Sequence, residues 1–204
     1  MIEYRPGVAL IVVDLQNDFA DPKGSLSVRG AAAVIPVLNR EVARARAAHA
    51  MVVCSQDWHP SHTPHFKRDG GVWPAHCVFD TWGAEFHPAL EVPEGTPIVR
   101  KGSNGEDGYS AFSMLDKQTG TTVPTMLEPL LQAAGVTKVV IGGLATDYCV
   151  KATALDAVRL GLETIVLTDA IAAVNLAPED GAKALSEMEA AGVIIRSSGE
   201  DDSR

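Results

Sequence analysis

The feature that most limits the fold of this chain is the alternation of short apolar runs with segments of helical periodicity. Val8–Val13 is an unbroken apolar run, and Met51–Ser55, Lys138–Ile141 and Thr164–Leu167 are similar runs further along. Such runs are typical of strands that are buried on both faces. In Ala31–Ala50, by contrast, apolar residues recur at helical spacing. The alternation predicts an α/β fold, a three-layer αβα sandwich around a mostly parallel six-stranded sheet.

The remaining elements continue this alternation. Two further strands are predicted at Thr96–Lys101 and Val193–Ile195, and three further helices at Thr125–Ala134, Thr146–Leu160 and Pro178–Ala191. Leu15–Ser25 is rich in turn-forming residues and is predicted to be a loop. A chain of 204 residues suits a single domain spanning residues 1–204. Its irregular parts are a long loop at about residues 57–92 and a polar tail at 197–204.

The charge balance narrows the class of partner. The chain has 17 basic and 26 acidic residues, and its net charge of −9 repels nucleic-acid phosphates and anionic lipids. We therefore expect a small-molecule partner, with no nucleic acid and no membrane. The amino terminus lacks a signal pattern and no apolar run approaches the ~20 residues that span a bilayer, so we expect a cytoplasmic protein. The sequence leaves a homo-oligomer open.

Cys149 lies where a nucleophile is expected. It follows the run Val139–Ile141 and two glycines, near the start of a predicted helix. We expect Thr146 or Asp147 to cap that helix. The helix dipole should then lower the pKa of the Cys149 thiol and favour the thiolate. The alternative is that Cys149 is a buried structural cysteine, which is the role assigned to Cys54 and considered for Cys77. The chain has three cysteines, and an odd number favours reduced thiols over disulfides.

Two other reactive side chains occupy comparable positions. Asp14 follows the first predicted strand directly, and Lys101 ends the third. Because parallel strands end at one edge of a sheet, Asp14, Lys101 and Cys149 can converge there. A thiol, a carboxylate that moves its proton and an ammonium group together suit nucleophilic catalysis. Taken alone, Asp14 could cap a turn and Lys101 could be a surface lysine.

The long loop carries a second cluster. Asp57 and His59 are two residues apart and share a face of an extended chain, and the loop can return His76 to them. One carboxylate with two or three imidazoles suits a divalent metal such as Zn²⁺, Mn²⁺ or Fe²⁺. His65 is a further candidate ligand, with His62 as its competitor. Structural roles are assigned to the remaining histidines, His49 and His87. The alternative is a set of surface histidines.

Several stretches of this chain, in this order, resemble one family. They are Val13-Asp-Leu-Gln-Asn-Asp-Phe19, Asp57-Trp-His-Pro60, Trp73-Pro-Ala-His-Cys77, Lys101-Gly102, Asp107-Gly-Tyr-Ser-Ala-Phe112 and Gly142-Gly-Leu-Ala-Thr-Asp-Tyr-Cys-Val150. Together they are similar to the nicotinamidases of the isochorismatase-like hydrolases, over about residues 9–173. The resemblance implies a Rossmann-like fold and hydrolysis of nicotinamide to nicotinate and ammonia. It also implies a role in NAD salvage and pyrazinamide as a side substrate.

The resemblance also implies roles for individual residues. Asp14, Lys101 and Cys149 would form the catalytic triad, and a non-proline cis peptide would join Leu144 to Ala145. The backbone N–H groups of Ala145 and Cys149 would bind the oxyanion. The implied metal ligands are Asp57, His59 and His76, with His65 as a fourth in some members. The implied substrate contacts are Phe19 and Trp73, which would stack on a flat ring, together with Tyr109 and Leu144.

By the same resemblance one divalent metal ion is expected, Zn²⁺ first and Fe²⁺ or Mn²⁺ otherwise. A related cysteine amidohydrolase that acts on N-carbamoylsarcosine or ureidoacrylate is the main alternative, since such enzymes share the triad. A noncatalytic binding protein is disfavoured because the triad residues are all present. A metal-dependent oxidoreductase is disfavoured because the chain has no G-x-G-x-x-G or G-x-x-x-x-G-K-[ST] motif.

Overall fold

The computed structural model describes residues 1–200 and places six strands of that range in one parallel sheet. The strands are β1 (Val8–Val13), β2 (Met51–Asp57), β3 (Ile98–Lys101), β4 (Ser113–Asp116), β5 (Thr121–Pro124), β6 (Lys138–Leu144), β7 (Glu163–Ala172) and β8 (Ile194–Arg196). The sheet order is β3-β2-β1-β6-β7-β8, and every neighbouring pair in it is parallel. The predicted fold class is therefore confirmed.

Helices cover both faces of this sheet. They are α1 (Asn17–Ala20), α2 (Ala31–Ala47), α3 (Leu127–Ala133), α4 (Lys151–Arg159) and α5 (Asp180–Ala190). Alternate residues of β1 enter two different cores: Leu10 packs with α2, whereas Ile11 packs with α3, α4 and α5. Burial on both faces explains why β1 is apolar throughout. None of the helices within residues 1–200 has the length and apolar character that crossing a membrane requires.

Three elements, α1, β4 and β5, were not predicted from the sequence. The predicted loop Leu15–Ser25 contains α1, whose four residues are too few to show helical periodicity. The strands β4 and β5 form a separate antiparallel hairpin, and β5 is largely exposed, so it lacks an apolar run. The prediction of a loop at the first site was therefore incomplete, and the hairpin was missed.

The long segment between β2 and β3 is irregular, as predicted. Two short 3₁₀ turns, Lys67–Asp69 and Trp82–Ala84, are its helical parts within the described residues. Its interior is nevertheless packed, since Phe66 and Trp73 are buried. At the other end of the chain, residues 201–204 of the predicted polar tail lie outside the described residues.

Candidate active site

The carboxyl ends of three adjacent strands bring reactive side chains to one edge of the sheet. Asp14 follows β1, while Asp57 and Lys101 are the last residues of β2 and β3 and lie in register with each other. Cys149 lies in the turn that follows β6, on the other side of β1. The ligand atoms of Asp14, Asp57 and Cys149 lie within 4.8 Å of one another. The predicted convergence at this edge therefore occurs, and it includes Asp57.

Lys101 is the centre of this cluster. Its buried ammonium group lies 2.8 Å from Asp14 Oδ2 and 2.7 Å from Asp57 Oδ1. It also lies 3.4 Å from Cys149 Sγ and 3.2 Å from the carbonyl oxygen of Tyr109. The surface-lysine alternative is thereby removed, because one ammonium group contacts two carboxylates and the candidate nucleophile.

Burial and the ion pairs act on the proton affinities of these groups in opposite directions. Burial raises the pKa of Asp14, and Lys101 only partly offsets that effect. Burial alone would lower the pKa of Lys101, but Asp14 and Asp57 outweigh it and hold that pKa well above its ordinary value. Burial would also raise the pKa of Asp57, yet Lys101 and the nearby histidines hold it well below its ordinary value. Lys101 and Asp57 are thus charged, whereas Asp14 is a carboxyl group suited to taking up a proton.

Sequence reasoning missed one partner of Asp14. The Ser55 hydroxyl donates a hydrogen bond of 2.7 Å to Asp14 Oδ1, and both residues are fully buried. A signal was present, because Ser55 lies two residues before Asp57 and such residues share a face of a strand. Only the pairing of β1 with β2, which aligns Val12 with Cys54, brings that hydroxyl to Asp14.

The turn that carries Cys149 differs from the prediction. Thr146–Val150 forms a π-helical turn that runs into α4, and neither Thr146 nor Asp147 caps it. The Asp147 carboxylate instead accepts hydrogen bonds from the backbone N–H groups of Val174, at 2.9 Å, and Asn175, at 2.8 Å. It therefore ties this turn to the loop that follows β7.

The expected low pKa of Cys149 was also wrong. Burial raises the pKa of the thiol well above its ordinary value, and the Lys101 ammonium offsets only part of that rise. Desolvation penalises a thiolate more than one nearby cation and one helical turn can repay. The thiol is therefore the resting form, and a base must take its proton before the sulfur can attack.

Three buried imidazoles meet next to this cluster. The ligand nitrogens of His59, His65 and His76 lie within 4.8 Å of one another. Asp57 Oδ2 lies 3.7 Å from His59 Nε2 and 3.9 Å from His76 Nε2. Asp57 therefore has one oxygen on Lys101 and the other beside the histidines. A carboxylate with several neutral imidazoles is a donor set that divalent zinc, iron or manganese accepts.

The hydrogen bonds of the rings fit metal binding. His76 Nδ1 donates to the carbonyl oxygen of Pro74 at 2.8 Å, and His65 Nδ1 donates to Asp107, which leaves Nε2 of each ring free. Burial lowers the pKa of His76 to about 4, so this imidazole is neutral. His59 is fully buried, yet neither of its ring nitrogens has a hydrogen-bond partner among the described residues. A buried polar atom without a partner is costly, and a bound cation would satisfy it.

The other histidines lie apart from this cluster. His62 is exposed and pairs with Asp69 at 3.0 Å, so it does not compete with His65. His49 lies just after α2 with a φ of 55°, and His87 Nδ1 accepts a hydrogen bond of 3.2 Å from the Ala89 N–H. The turn position of His49 and the backbone hydrogen bond of His87 agree with the structural roles predicted for them.

A pocket opens beside Cys149. The four predicted substrate contacts, Phe19, Trp73, Tyr109 and Leu144, all line it. The lining residues that sequence reasoning missed are Leu26, Val28, Tyr148 and Val174. Ala145 also lines the pocket, and the peptide bond between Leu144 and Ala145 is cis, as expected.

Aromatic side chains hold one another in place around this pocket. Trp73 Nε1 donates to the Tyr109 hydroxyl at 3.0 Å, and the ring centroids of Trp73 and Tyr148 are 4.8 Å apart. Phe19 is buried with its ring centroid 5.3 Å from that of His76. Phe19 is therefore a buried wall of the pocket and not an exposed aromatic side chain.

Comparisons with known proteins agree with this geometry. The family model of the isochorismatase domain matches residues 8–200. The nicotinamidase of Escherichia coli (strain K12) is 37% identical, and the match covers 93% of this chain and 94% of that protein. The nicotinamidase/pyrazinamidase of Mycobacterium tuberculosis (strain ATCC 25618 / H37Rv) is 40% identical over 190 residues, which cover 92% of this chain and 97% of that protein.

Solved structures show the same likeness. The pyrazinamidase of Pyrococcus horikoshii in complex with zinc has a TM-score of 0.84 at 39% identity, covering 94% of this chain and 99% of that chain. PnC1 from L. infantum in complex with nicotinate has a TM-score of 0.86 at 34% identity, covering 97% of both chains.

Proposed function

The chain belongs to the isochorismatase domain family, and on this premise we propose that it is a nicotinamidase that hydrolyses nicotinamide to nicotinate and ammonia. The proposal rests above all on the position of Lys101. Its ammonium group contacts Asp14, Cys149 and Asp57, and Asp57 also lies beside the three histidines. This arrangement places a nucleophile and its base next to a candidate metal site. Both lie at an aromatic pocket that suits a flat ring.

The first half of the proposed reaction uses Asp14 as a base. Asp14 takes the proton of the Cys149 thiol, and the sulfur attacks the carboxamide carbon. The N–H groups of Ala145 and Cys149 are assigned to the oxyanion that forms, and Lys101 stabilises the charge on the cluster. When the carbon–nitrogen bond breaks, Asp14 passes its proton to the leaving nitrogen. Ammonia departs and a thioester remains on Cys149.

The second half uses the same groups in reverse. Water attacks the thioester carbon while Asp14 accepts the water proton, and the carbon–sulfur bond then breaks. The proton returns from Asp14 to the Cys149 sulfur, which restores the resting thiol. The carboxylic acid product loses its remaining proton to solvent and leaves as nicotinate. The raised pKa of Asp14 suits both steps, because a group must bind a proton well to take it and still release it.

We assign Asp57, His59, His65 and His76 as ligands of one divalent metal ion, Zn²⁺ first and Fe²⁺ or Mn²⁺ otherwise. The zinc complex of the Pyrococcus horikoshii pyrazinamidase and the partnerless nitrogens of His59 support this assignment. When bound, the ion would supply a positive centre that orients the pyridine nitrogen of the substrate. Phe19 and Trp73 would hold the ring from the sides of the pocket.

Pyrazinamide is the proposed side substrate, because its ring has the same shape and also carries a ring nitrogen. The alternative substrates, N-carbamoylsarcosine and ureidoacrylate, each carry a carboxylate. None of the pocket-lining residues in the described part of the chain is a lysine or arginine that could pair with it. The lining is mostly aromatic and aliphatic, which favours a flat, uncharged amide.

The direct test is ammonia release from a panel of nicotinamide, pyrazinamide, N-carbamoylsarcosine and ureidoacrylate at equal concentrations. We expect turnover with the two ring amides and little with the two carboxylates. The Cys149→Ala variant from a parallel preparation serves as the control for contaminating amidases. Faster release from either carboxylate substrate than from nicotinamide would contradict the proposal.

The cellular setting is part of the proposal. The three cysteines among the described residues are free thiols, as expected in the reducing cytoplasm. There the chain would act as a single domain in NAD salvage on a small-molecule substrate, as a monomer or a homo-oligomer.

A further inference from the structure

His65 needs support from outside its own segment. It lies in the irregular stretch between β2 and β3, where no strand ladder fixes its backbone on both sides. Its buried ring nevertheless stacks on His59, with centroids 4.9 Å apart and planes 20° apart, and lies 5.3 Å from the ring of His76. A ring can hold such a position as a ligand only if something sets its rotation and its tautomer.

Asp107 provides that support across the chain. Its Oδ1 accepts the hydrogen bond from His65 Nδ1 and another of 2.9 Å from the Gly108 N–H. A carboxylate only accepts hydrogen bonds, so the His65 nitrogen that bonds to Asp107, Nδ1, carries a proton. The lone pair on Nε2 is then left for a metal, beside the ligand nitrogens of His59 and His76.

The β4–β5 hairpin holds Asp107 in turn. The Asp107 N–H donates to the Leu115 carbonyl at 2.8 Å, and the Leu115 N–H donates back to the Asp107 carbonyl at 2.6 Å. Lys117, at the start of the turn between β4 and β5, pairs with Asp107 Oδ2. The Lys117 side chain is 42% exposed, so this ion pair contributes little compared with the backbone bonds.

We propose that Asp107 is a positioning residue that holds His65 in the orientation and tautomer of a metal ligand. The inference rests on the metal site of the proposed function and adds to it a residue outside the ligand set. It also gives the β4–β5 hairpin a role, since the hairpin fixes the backbone of Asp107. A purely structural Asp107 would stabilise the metal-free fold and leave metal affinity unchanged.

The test is the zinc affinity of the full-length chain, measured by competition with a chromogenic chelator at fixed pH. We expect Asp107→Ala to weaken zinc binding by about 10- to 100-fold, the usual cost of losing a residue that orients a ligand. Asp107→Asn keeps an oxygen that accepts from His65 Nδ1, so it should recover most of the loss. Glu106→Gln is the matched control, because its carboxylate contacts Asn104 and not a histidine. It should bind zinc as the wild type does.

A double-mutant cycle separates positioning from general destabilisation. His65→Ala should weaken zinc binding, and adding Asp107→Ala to it should cost nothing more, because Asp107 acts through His65. Unchanged zinc affinity in Asp107→Ala, or an equal loss in the presence and absence of His65, would overturn the inference. A variant that only lowers the melting temperature of the metal-free protein would overturn it as well.

The zinc titration needs no substrate, so its outcome is independent of the reaction. Nicotinamide hydrolysis by the wild type is measured on the same preparation. Failure of that activity with an Asp107-dependent zinc affinity would refute only the proposed function. An active wild type whose zinc affinity ignores Asp107 would refute only the positioning role.

Discussion

The two halves of the candidate site are built in different ways. The strand-borne half consists of Asp14 and Lys101, which lie on or directly after strands of the parallel sheet, and of Cys149 in the turn that follows β6. Asp57, at the end of β2, contacts both halves. His59 and His76 lie in the irregular segment, outside the sheet. The proposed chemistry thus rests on a regular scaffold, whereas the proposed metal site depends on a few buried polar side chains.

Two of these side chains come from the segment after β1, Gln16 directly before α1 and Asp18 within it. Gln16 Nε2 donates to the carbonyl oxygens of Asp57, at 2.7 Å, and Ala84, at 2.9 Å. Asp18 accepts the backbone N–H groups of Cys77, at 2.7 Å, and Ser25, at 2.9 Å. In the irregular segment, these side-chain hydrogen bonds do what backbone pairing between strands does in the sheet. We infer that single substitutions in the irregular segment between β2 and β3, or in the side chains that hold it, mainly lower the stability of the fold. Substitutions of Asp14, Lys101 or Cys149 should mainly lower the rate of catalysis.

The largest expected effect lies in the strand-borne half. Cys149→Ala should reduce kcat for nicotinamide by about a thousandfold or more, because no other group supplies the nucleophile. Folding and nicotinamide binding should persist, as measured by circular dichroism and calorimetry. Cys54→Ala, which removes a buried thiol away from the pocket, should keep its activity. Appreciable hydrolysis by Cys149→Ala would remove the nucleophile assignment.

Asp14→Asn and Lys101→Ala should each lower kcat by about 10²- to 10⁴-fold, the usual contribution of a proton-transferring group. The Lys101 ammonium group contacts both Asp14 and Cys149, so the three residues act together. The double variant should therefore lose less kcat than the product of the two single losses. The kinetics of both single variants and the double variant measure this coupling. A double variant whose loss equals the product of the single losses would show independent residues and break the triad.

Asp18→Ala tests the irregular half. It leaves the buried Cys77 N–H without a partner and also removes the bond to the N–H of the exposed Ser25. We expect it to lower the free energy of unfolding by about 1–3 kcal/mol. Lys138→Ala is the contrasting change, because it breaks a partly exposed ion pair of 2.9 Å with Glu163 at a strand end. That loss should stay below about 1 kcal/mol. Urea unfolding of the metal-free proteins measures both, and equal losses would contradict the comparison.

Metal removal should have the smallest effect on the reaction and separate the two halves most cleanly. We expect chelation to raise KM for nicotinamide by about tenfold, roughly 1.4 kcal/mol of binding, while iodoacetamide still alkylates Cys149. Mass spectrometry of the chelated enzyme with substrate tests the alternative that the ion activates the hydrolytic water. A trapped thioester on Cys149 with unchanged ring affinity would refute the orienting role. Full activity without bound metal would refute the site.

Much of the strand-borne half could be predicted from the sequence because its signals are local. The apolar run Val8–Val13 marks a strand, and the position of Asp14 directly after it follows from chain order alone. Parallel topology then implies that Lys101 and Cys149 reach the same edge. The candidate metal ligands Asp57, His59 and His76 could also be predicted from the sequence. Asp57 and His59 are two residues apart, and all three lie in motifs that resemble those of a known family.

Only the tertiary structure decided how these groups are charged and held. Cys149 has a raised pKa because the folded chain buries it, and no local helix signal carries that information. Ser55 reaches Asp14 across 41 positions and Asp107 reaches His65 across 42, so neither contact leaves a trace in local periodicity. The sequence by itself determined which reactive groups are present and which strands carry them. Burial and long-range hydrogen bonds, which depend on the whole fold, decided their protonation and orientation.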